Sequence, residues 1–167
     1  MESTEIALDS ARLVTFRPAA ADDEAFLLEV YASTRLEELA MVPWDEGKRS
    51  AFLQLQYSAQ KSHYHEHYPV SEYYIILLNK HPVGRLWFAR LENEIRILDI
   101  TLLPVHRKQG VGSPIIKCLM DEAKHSGKHL NIYVEGFNPS LSLFERLGFL
   151  KVDEHGYSFK MSWSPPI

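Results

Sequence analysis

The chain has 167 residues, of which 46% are hydrophobic and 24% are charged, and its formal net charge is −4. This size and balance are typical of one globular domain, and the negative charge excludes a general electrostatic attraction to nucleic acid or anionic membranes. The single cysteine, Cys118, excludes an internal disulfide. With an acidic start and no apolar run of membrane-spanning length, we expect a cytoplasmic protein.

The first half of the chain predicts a strand, two helices and then a run of strands. Alternating or dense apolar residues and helical spacing place these elements at 12–17 (strand), 22–34 and 45–63 (helices), 73–78, 83–90 and 95–103 (strands). Asp22 and Asp45 are the candidate N-caps of the two helices. Residues 35–44 are interpreted as an irregular connection.

The second half predicts a strand–helix–strand crossover followed by a hairpin. The elements are expected at 111–126 (helix), 130–134 (strand), 140–147 (helix), 149–153 and 157–163 (strands). Leu130, Ile132 and Val134 alternate and should face the core. The crossover should be parallel and right-handed, so the fold class is α/β. We expect a single domain over 12–163, with a mixed, mostly antiparallel sheet flanked by helices and tails at 1–11 and 164–167.

The stretch HRKQGVGS, residues 106–113, joins the longest predicted strand to the next helix. Pro114 would clash with a helical carbonyl four residues earlier, so regular helix should begin at or after Val111. Free amides at a helix start, next to two glycines and two cations, favour an anion such as a phosphate. An ordinary turn is the alternative. The spacing matches neither a P-loop nor a dinucleotide-binding fingerprint.

Two motifs carry a resemblance to a known family. RKQGVG at 107–112 resembles the Arg/Gln-x-x-Gly-x-Gly/Ala signature of the GCN5-related N-acetyltransferases (GNAT family), and it likewise follows a strand and opens a helix. NPSLSLFERLGF at 138–149 resembles the family's second segment, in which an asparagine precedes a short helix ending in Gly-Phe. The order of elements is similar to that of the family over residues 12–163.

The resemblance implies acetyl-CoA as the co-substrate and the primary amine of a small molecule or peptide as the acceptor. It also implies a gap between the strand ending at Leu102 and the strand 130–134, where the cofactor would enter. The amides of 108–113 would hold the diphosphate, while backbone groups near Leu102 would receive the pantetheine arm. The implied cofactor-binding residues are Ile100, Thr101, Leu102, Arg107, Lys108, Gln109, Gly110, Val111, Gly112, Ser113, Asn138 and Phe144.

The sequence departs from the family at the position of a frequent acid. Many members have a tyrosine four residues before the glycine of the Gly-Phe pair, and here that position is Phe144. Because a thiol has a modest pKa, departure of the thiolate needs no acid, and we expect an active enzyme. A catalytically weak or inactive acyl-CoA-binding module is the alternative. The segment between Asn138 and Phe144 is also one residue shorter than in many relatives.

The acceptor amine must lose a proton before it attacks, which requires a base. Tyr133 and Glu135 share the face of their strand opposite the core, and Asp99 is a charge within an apolar strand. These three residues are the catalytic candidates. For Asp99 the alternative is a buried salt bridge, for example to Arg85, and for Glu135 it is a solvated strand end.

The run SHYHEHYP at 62–69 is rich in histidine, but its spacing does not favour a metal site, and we expect none. With Met41 and Trp44, its rings are expected to help form the wall of the acceptor pocket; ordinary surface and core packing is the alternative. The net negative charge slightly favours a cationic acceptor. Exposed strands would allow a homodimer, although no residue pattern specifies one, and neither nucleic acid nor a membrane is expected as a partner.

Overall fold

A computed structural model describes all 167 residues, which form eight strands and five α-helices. The strands are β1 (Glu5–Ala7), β2 (Leu13–Pro18), β3 (Glu72–Leu78), β4 (His81–Arg90), β5 (Glu94–Leu102), β6 (His129–Glu135), β7 (Leu150–His155) and β8 (Ser158–Trp163). The helices are α1 (Glu24–Ser33), α2 (Leu36–Ala40), α3 (Glu46–His67), α4 (Gly112–Ser126) and α5 (Ser140–Arg146). No helix combines the length and apolar character needed to cross a bilayer.

One sheet contains all eight strands in the order β1-β2-β3-β4-β5-β6-β8-β7. Every neighbouring pair is antiparallel except β5 and β6, which are parallel and joined through α4. A parallel neighbour needs a crossover connection, and the helix after the glycine loop provides it. The predicted mixed, mostly antiparallel α/β sheet is therefore confirmed.

The helices pack on both faces of this sheet. The larger core lies between the sheet and the helices α4 and α5. It includes Leu130, Ile132 and Val134, as their alternation predicts. On the opposite face α1 and α3 pack against the sheet through a smaller cluster: Leu27, Tyr31, Tyr57 and Ile75. Continuous apolar burial thus belongs to the α4 face, whereas the α3 face has room for polar groups.

Three details of the first half differ from the sequence-based expectation. Glu5–Ala7 lies in the expected tail but pairs with β2 as β1, and α2 lies within the expected irregular connection. The N-cap residue of α1 is Asp23 rather than Asp22, and its side chain makes no cap hydrogen bond to α1. It accepts instead from the Ala20 amide, at the start of the preceding 3-10 turn, at 2.9 Å. The Asp45 cap is confirmed, since its side chain accepts from the Lys48 amide.

Gly84 allows β4 to approach β5 closely. A Cβ atom added at Gly84 would lie 2.2 Å from the Thr101 carbonyl oxygen, so any other residue would push the two strands apart. Farther along the same pair, Trp87 lies opposite Asp99 and Phe88 opposite Ile97, which leaves Leu98 as a bulge. Bulges bend a strand and end regular pairing.

Candidate active site

The two central parallel strands separate halfway along their length. Their pairing runs from Glu94 opposite His129 to Ile97 opposite Ile132 and stops there. The next residues, Leu98 on β5 and Tyr133 on β6, have no partner across the pair. The bulge at Leu98 turns β5 at this point, because an extra residue increases the local twist. The result is a gap between the two strands whose closed end, the apex, lies at Leu98 and Tyr133.

Backbone groups on the open edge of β5 face this gap. The Leu103 amide donates to the Val83 carbonyl on β4 at 2.9 Å. Because antiparallel backbone groups alternate in direction, those of Thr101 also point to β4, while those of Ile100 and Leu102 point into the gap. Of the three backbone positions expected to receive the pantetheine arm, Thr101 is therefore turned away, and its hydroxyl donates to Asp99 instead.

The loop before α4 presents a row of unengaged amides. The Arg107 amide donates to the Pro104 carbonyl, but the amides of Lys108 to Ser113 donate to no protein acceptor. Helix α4 begins at Gly112, so these amides lie at the positive end of a 15-residue helix. Unpaired N–H groups grouped at a helix start form an anion-binding arrangement.

Glycine occupies the two positions of the loop for different physical reasons. Gly110 has a φ of +77°, a left-handed conformation that glycine adopts without strain. Gly112 has no such φ, and a Cβ there would meet only Leu102 and Leu143 side-chain atoms at 3.9 Å, which is ordinary contact. Neither the backbone conformation nor the packing of the protein requires glycine at 112. Close approach of a ligand to the backbone would require it.

Polar side chains of the loop hold it against the protein. Arg107 donates to the Leu102 carbonyl at 2.9 Å and to the Ser33 hydroxyl at 3.2 Å, so its guanidinium ties the loop to α1. The Gln109 side chain donates to Val105, and its carbonyl accepts from Arg12 at 2.7 Å. Among the loop residues, Arg107 and Gln109 therefore use their side chains to fix the backbone.

A cavity of about 340 Å³ opens at the apex of the gap, on the α3 side of the sheet. Its lining comes from α3, the residue after it, and both central strands: Gln60, His63, Tyr64, Tyr68, Arg96, Ile97, Leu98 and Tyr133. The Tyr64 hydroxyl donates to the Leu98 carbonyl at 3.0 Å, which fixes the bulge to α3. Burial, followed by the charge of Asp99, raises the pKa of Tyr64, so this hydroxyl remains a donor.

Asp99 forms the salt bridge that was the alternative to a catalytic role. Its Oδ2 accepts from Arg85 Nε at 2.6 Å and from the Thr101 hydroxyl at 2.9 Å. Arg85 is 1% exposed and also donates to Tyr73 and to Gln60. Burial opposes the charge of Arg85, but Asp99 and Tyr73 together outweigh it and raise the pKa of the guanidinium.

Tyr133 and Glu135 lie along the open part of β6. Tyr133 is 42% exposed, and the Arg96 guanidinium lies over its ring at 5.0 Å. Glu135 is partly exposed two residues farther on, with Oε1 at 4.0 Å from Arg35 Nη1. Both side chains are on the cavity side of the strand, as the alternation predicts.

Asn138 and Phe144, from the second motif, both make contacts that stabilise the fold. Asn138 is exposed, and its Oδ1 accepts from the amide of Ser140, the first residue of α5, at 2.9 Å, which closes a local turn before the helix. Phe144 is 1% exposed and packs edge to face with Phe149 at 5.2 Å. The inclusion of Phe144 among the cofactor-binding residues is corrected here, because a ring so deep in the core offers no surface to a ligand.

The histidine-rich segment contributes to the cavity only in part. His63 lines the cavity, and the His67 ring lies 4.1 Å from the His63 ring at an angle of 32°. His65 packs against Trp87 instead. Met41 and Trp44 were expected in the wall, but neither lines the cavity. Met41 is exposed, and Trp44 packs against Phe52.

Two residues near the gap, Arg96 and Arg35, were not identified from the sequence. Arg96 could have been found, because it alternates with the buried Ile95 and Ile97 and so must face the α3 side with Tyr133. Arg35 gave no signal, since it lies in a segment without periodicity. It reaches Glu135 only through the tertiary arrangement of α1 and β6.

The fold and the gap together define an acyl-CoA N-acyltransferase-like architecture, in which parallel strands separate beside a helix with free amides. A profile of the acetyltransferase (GNAT) family matches residues 33–149. The chain belongs to this family and is an acetyl-CoA-dependent acyltransferase. Among curated protein sequences, none matches the chain.

Solved structures share the fold at low sequence identity. A PaiA N-acetyltransferase from Thermoplasma acidophilum, solved in complex with coenzyme A, has a TM-score of 0.68 at 17% identity, covering 90% of this chain and 98% of that one. A Vibrio fischeri ribosomal-protein-S5-alanine acetyltransferase has a TM-score of 0.60 at 13% identity, covering 97% of each chain. PH1933 from Pyrococcus horikoshii gives 0.66 at 15% identity, covering 92% of this chain and 99% of that one.

Proposed function

We propose that this protein transfers the acetyl group of acetyl-CoA to a primary amine of a small molecule or peptide, by direct attack of the amine on the thioester. One observation carries the proposal: the free loop amides, the open edge of β5 and the cavity all meet at the same gap. An anion-binding loop after the far end of β5 and a ligand cavity at the apex would suit two substrates that must come together along this strand.

The loop would hold the diphosphate of the co-substrate. Six successive residues, 108–113, provide amides without protein acceptors, and the α4 dipole adds positive potential. The exposed Lys108 adds charge at the rim, while Arg107 keeps the loop in shape through Leu102 and Ser33. Since the net charge of the chain is −4, this local arrangement is what attracts the anion.

The pantetheine arm would bind along the open edge of β5, in the way that an added strand pairs with an edge strand. Backbone groups of Ile100 face the gap and match the amides of such an arm, as in β-strand addition. At Leu102 the carbonyl already accepts from Arg107, so only its amide remains for this purpose. Asn138, exposed at the start of α5, stays a candidate contact on the far side of the gap.

Acetyl-CoA supplies the acetyl group as an activated thioester. We assign the general base to Glu135, because its carboxylate is partly exposed, faces the cavity side and lies two residues beyond the apex. Tyr133, at the apex, would contact the acceptor. Asp99 would have a structural role and no catalytic one, since its Oδ2 already accepts two hydrogen bonds.

The proton and electron balance is simple. Glu135, directly or through water, takes one proton from the acceptor ammonium, and the neutral amine nitrogen attacks the thioester carbonyl. The C–N bond forms as the C–S bond breaks, and the nitrogen then loses its second proton to water, which leaves a neutral amide. The sulfur leaves with the electron pair as a thiolate, which at an ordinary thiol pKa needs no acid. The absence of a hydroxyl at Phe144 is compatible with this sequence of steps.

The test measures thiol release from acetyl-CoA against a panel of primary amines, together with CoA affinity of two variants at one position. Gly112→Asp places a carboxylate among the loop amides, and Gly112→Asn is its neutral control of equal size. Asp is favourable near a helix start, so stability should not fall. We expect CoA to bind Gly112→Asp at least tenfold more weakly than Gly112→Asn. Equal affinity in the two variants would refute the loop assignment.

Phe144 supports one alternative within the family, a chain that binds acyl-CoA but transfers it poorly or not at all. This alternative predicts tight CoA binding to the wild type with no amine-dependent thiol release across the panel. Amine-dependent release with formation of the acetylated amine excludes it.

A further inference from the structure

The cavity at the apex of the gap has a chemical character that narrows the acceptor, and the argument rests on the proposed function. Leu98 and Tyr133 belong both to the apex and to the lining of the cavity. A molecule in the cavity would therefore present its near end to the open edge of β5. The far end would lie among the side chains of α3.

Three of the eight lining residues are tyrosines, and their rings are held in place. The Tyr64 hydroxyl donates to the Leu98 carbonyl at 3.0 Å, and the Tyr68 hydroxyl accepts from Arg96 Nη1 at 3.3 Å. Tyr133 is covered on one side by the Arg96 guanidinium at 5.0 Å. Fixed aromatic faces favour a flat apolar or aromatic group by edge or stacking contacts.

The charges around the cavity disfavour a second positive group on the ligand. Arg96 is the lining residue with a permanent charge, and no carboxylate lines the cavity. The Glu94 carboxylate that balances Arg96 is engaged by it at 2.7 Å and also accepts from Asn131. A cationic tail would thus meet a guanidinium and no free anion, which opposes the slight preference for cationic acceptors inferred from net charge.

We propose that the acceptor is a primary amine carried on an aromatic or flat apolar body without a second positive charge. Its ring would lie between Tyr64, Tyr68 and Tyr133, and its amine would reach the apex near Glu135. Polyamines and aminoglycosides are disfavoured by the same surface.

The test compares kcat/KM for three amines of similar length: 2-phenylethylamine, hexylamine and 1,6-diaminohexane. We expect 2-phenylethylamine to exceed hexylamine by about tenfold or more, and hexylamine to exceed the diamine. A preference for the diamine, or equal values for all three, would overturn the proposal.

A charge variant and a non-reactive ligand make the test independent of turnover and folding. Arg96→Gln leaves the Glu94 carboxylate unbalanced, so the ratio of diamine to 2-phenylethylamine activity should rise about tenfold; an unchanged ratio in a variant with a native circular dichroism spectrum contradicts the charge argument. Should Arg96→Gln not fold, the hexylamine-to-diamine ratio of the wild type decides the charge argument. The aromatic preference is tested without turnover, because CoA-bound protein should bind 2-phenylethanol more tightly than 1,6-hexanediol, and equal or reversed affinity contradicts it. If no amine releases thiol, the proposed function fails, and the comparison of the two alcohols still judges the cavity.

Discussion

The Arg85 guanidinium donates to the Asp99 carboxylate at 2.6 Å, and this contact ties β4 to the strand that borders the gap. Arg85 also donates to Tyr73 on β3 and to Gln60 on α3. One buried cation on β4 therefore connects this strand to β3, β5 and α3 on the cavity side of the sheet. A buried charge is tolerated only when its partners are in place. Asp99 therefore has a structural reason to be an acid, and we assign catalysis elsewhere.

Asp99→Asn should destabilise the protein strongly. It leaves the Arg85 charge buried without its counter-ion, and loss of one member of a buried pair costs about 3–5 kcal/mol. Thr101→Val is the control: it removes the second bond to the same carboxylate oxygen at a cost of about 1 kcal/mol. Urea unfolding measures both. A small loss of stability in Asp99→Asn, combined with a large loss of kcat, would return Asp99 to the base assignment.

Glu135→Gln should lower kcat by about 100- to 10,000-fold, the usual contribution of a general base, with CoA affinity unchanged. Glutamine keeps the shape of the side chain and removes its ability to accept the proton. Steady-state kinetics with acetyl-CoA and an active amine measure the effect. Glu92→Gln, an exposed residue in the β4–β5 turn, is the matched control and should keep wild-type rates.

Tyr133→Phe separates the remaining base candidate from Glu135. The phenylalanine ring preserves the cavity wall and the contact with Arg96 while the hydroxyl is lost. We expect kcat to change less than tenfold. If Tyr133→Phe abolishes turnover and Glu135→Gln does not, the two roles must be exchanged.

Phe144→Tyr should not create a catalytic acid. Because Phe144 is 1% exposed and packs on Phe149, a new hydroxyl would be buried in an apolar core. An unpaired buried hydroxyl costs about 1–3 kcal/mol, so we expect a lower melting temperature and no gain in kcat. Thermal unfolding and kinetics on the same preparation measure both. A faster enzyme of equal stability would show that position 144 reaches the departing sulfur.

Stability should depend on pH through Asp23. Its carboxylate accepts two bonds from Arg17, at 2.7 and 2.9 Å, and this pairing holds the pKa of Asp23 below its ordinary value of 3.8. A lowered pKa stabilises the folded state above about pH 4, and this stabilisation is lost as the pH falls through the folded value. Asp23→Asn should cost about 1–2 kcal/mol at pH 7, since exposed Arg17 is screened.

The difference between Asp23→Asn and the wild type should shrink as urea unfolding is repeated from pH 7 down to pH 3. Asp22→Asn changes the neighbouring exposed carboxylate and is expected to have no such pH-dependent effect. A gap that stays constant over this range would mean that the Arg17–Asp23 pair does not carry the stability.

Local patterns in the sequence determined the longer helices and strands, the crossover and the glycine loop, while the short β1 and α2 were missed. Period-two alternation placed Leu130, Ile132 and Val134 in the core, and Pro114 placed the start of α4 within the correct turn. These signals need only neighbours along the chain, because side-chain direction and backbone strain are fixed within a few residues. For Asp99 the sequence named a catalytic role and, as the alternative, the salt bridge to Arg85 that the structure contains, since a charge in an apolar strand requires an opposite charge nearby.

Tertiary structure alone decided where β5 and β6 separate and what surrounds the gap. That point depends on the register between strands far apart in sequence and on the bulge at Leu98, neither of which leaves a local pattern. Burial of Phe144, the Arg35–Glu135 contact and the tyrosine-lined cavity likewise arise from packing between distant segments. Such contacts form only when the whole sheet is assembled, so the sequence indicated the class of chemistry and the packing determined its geometry.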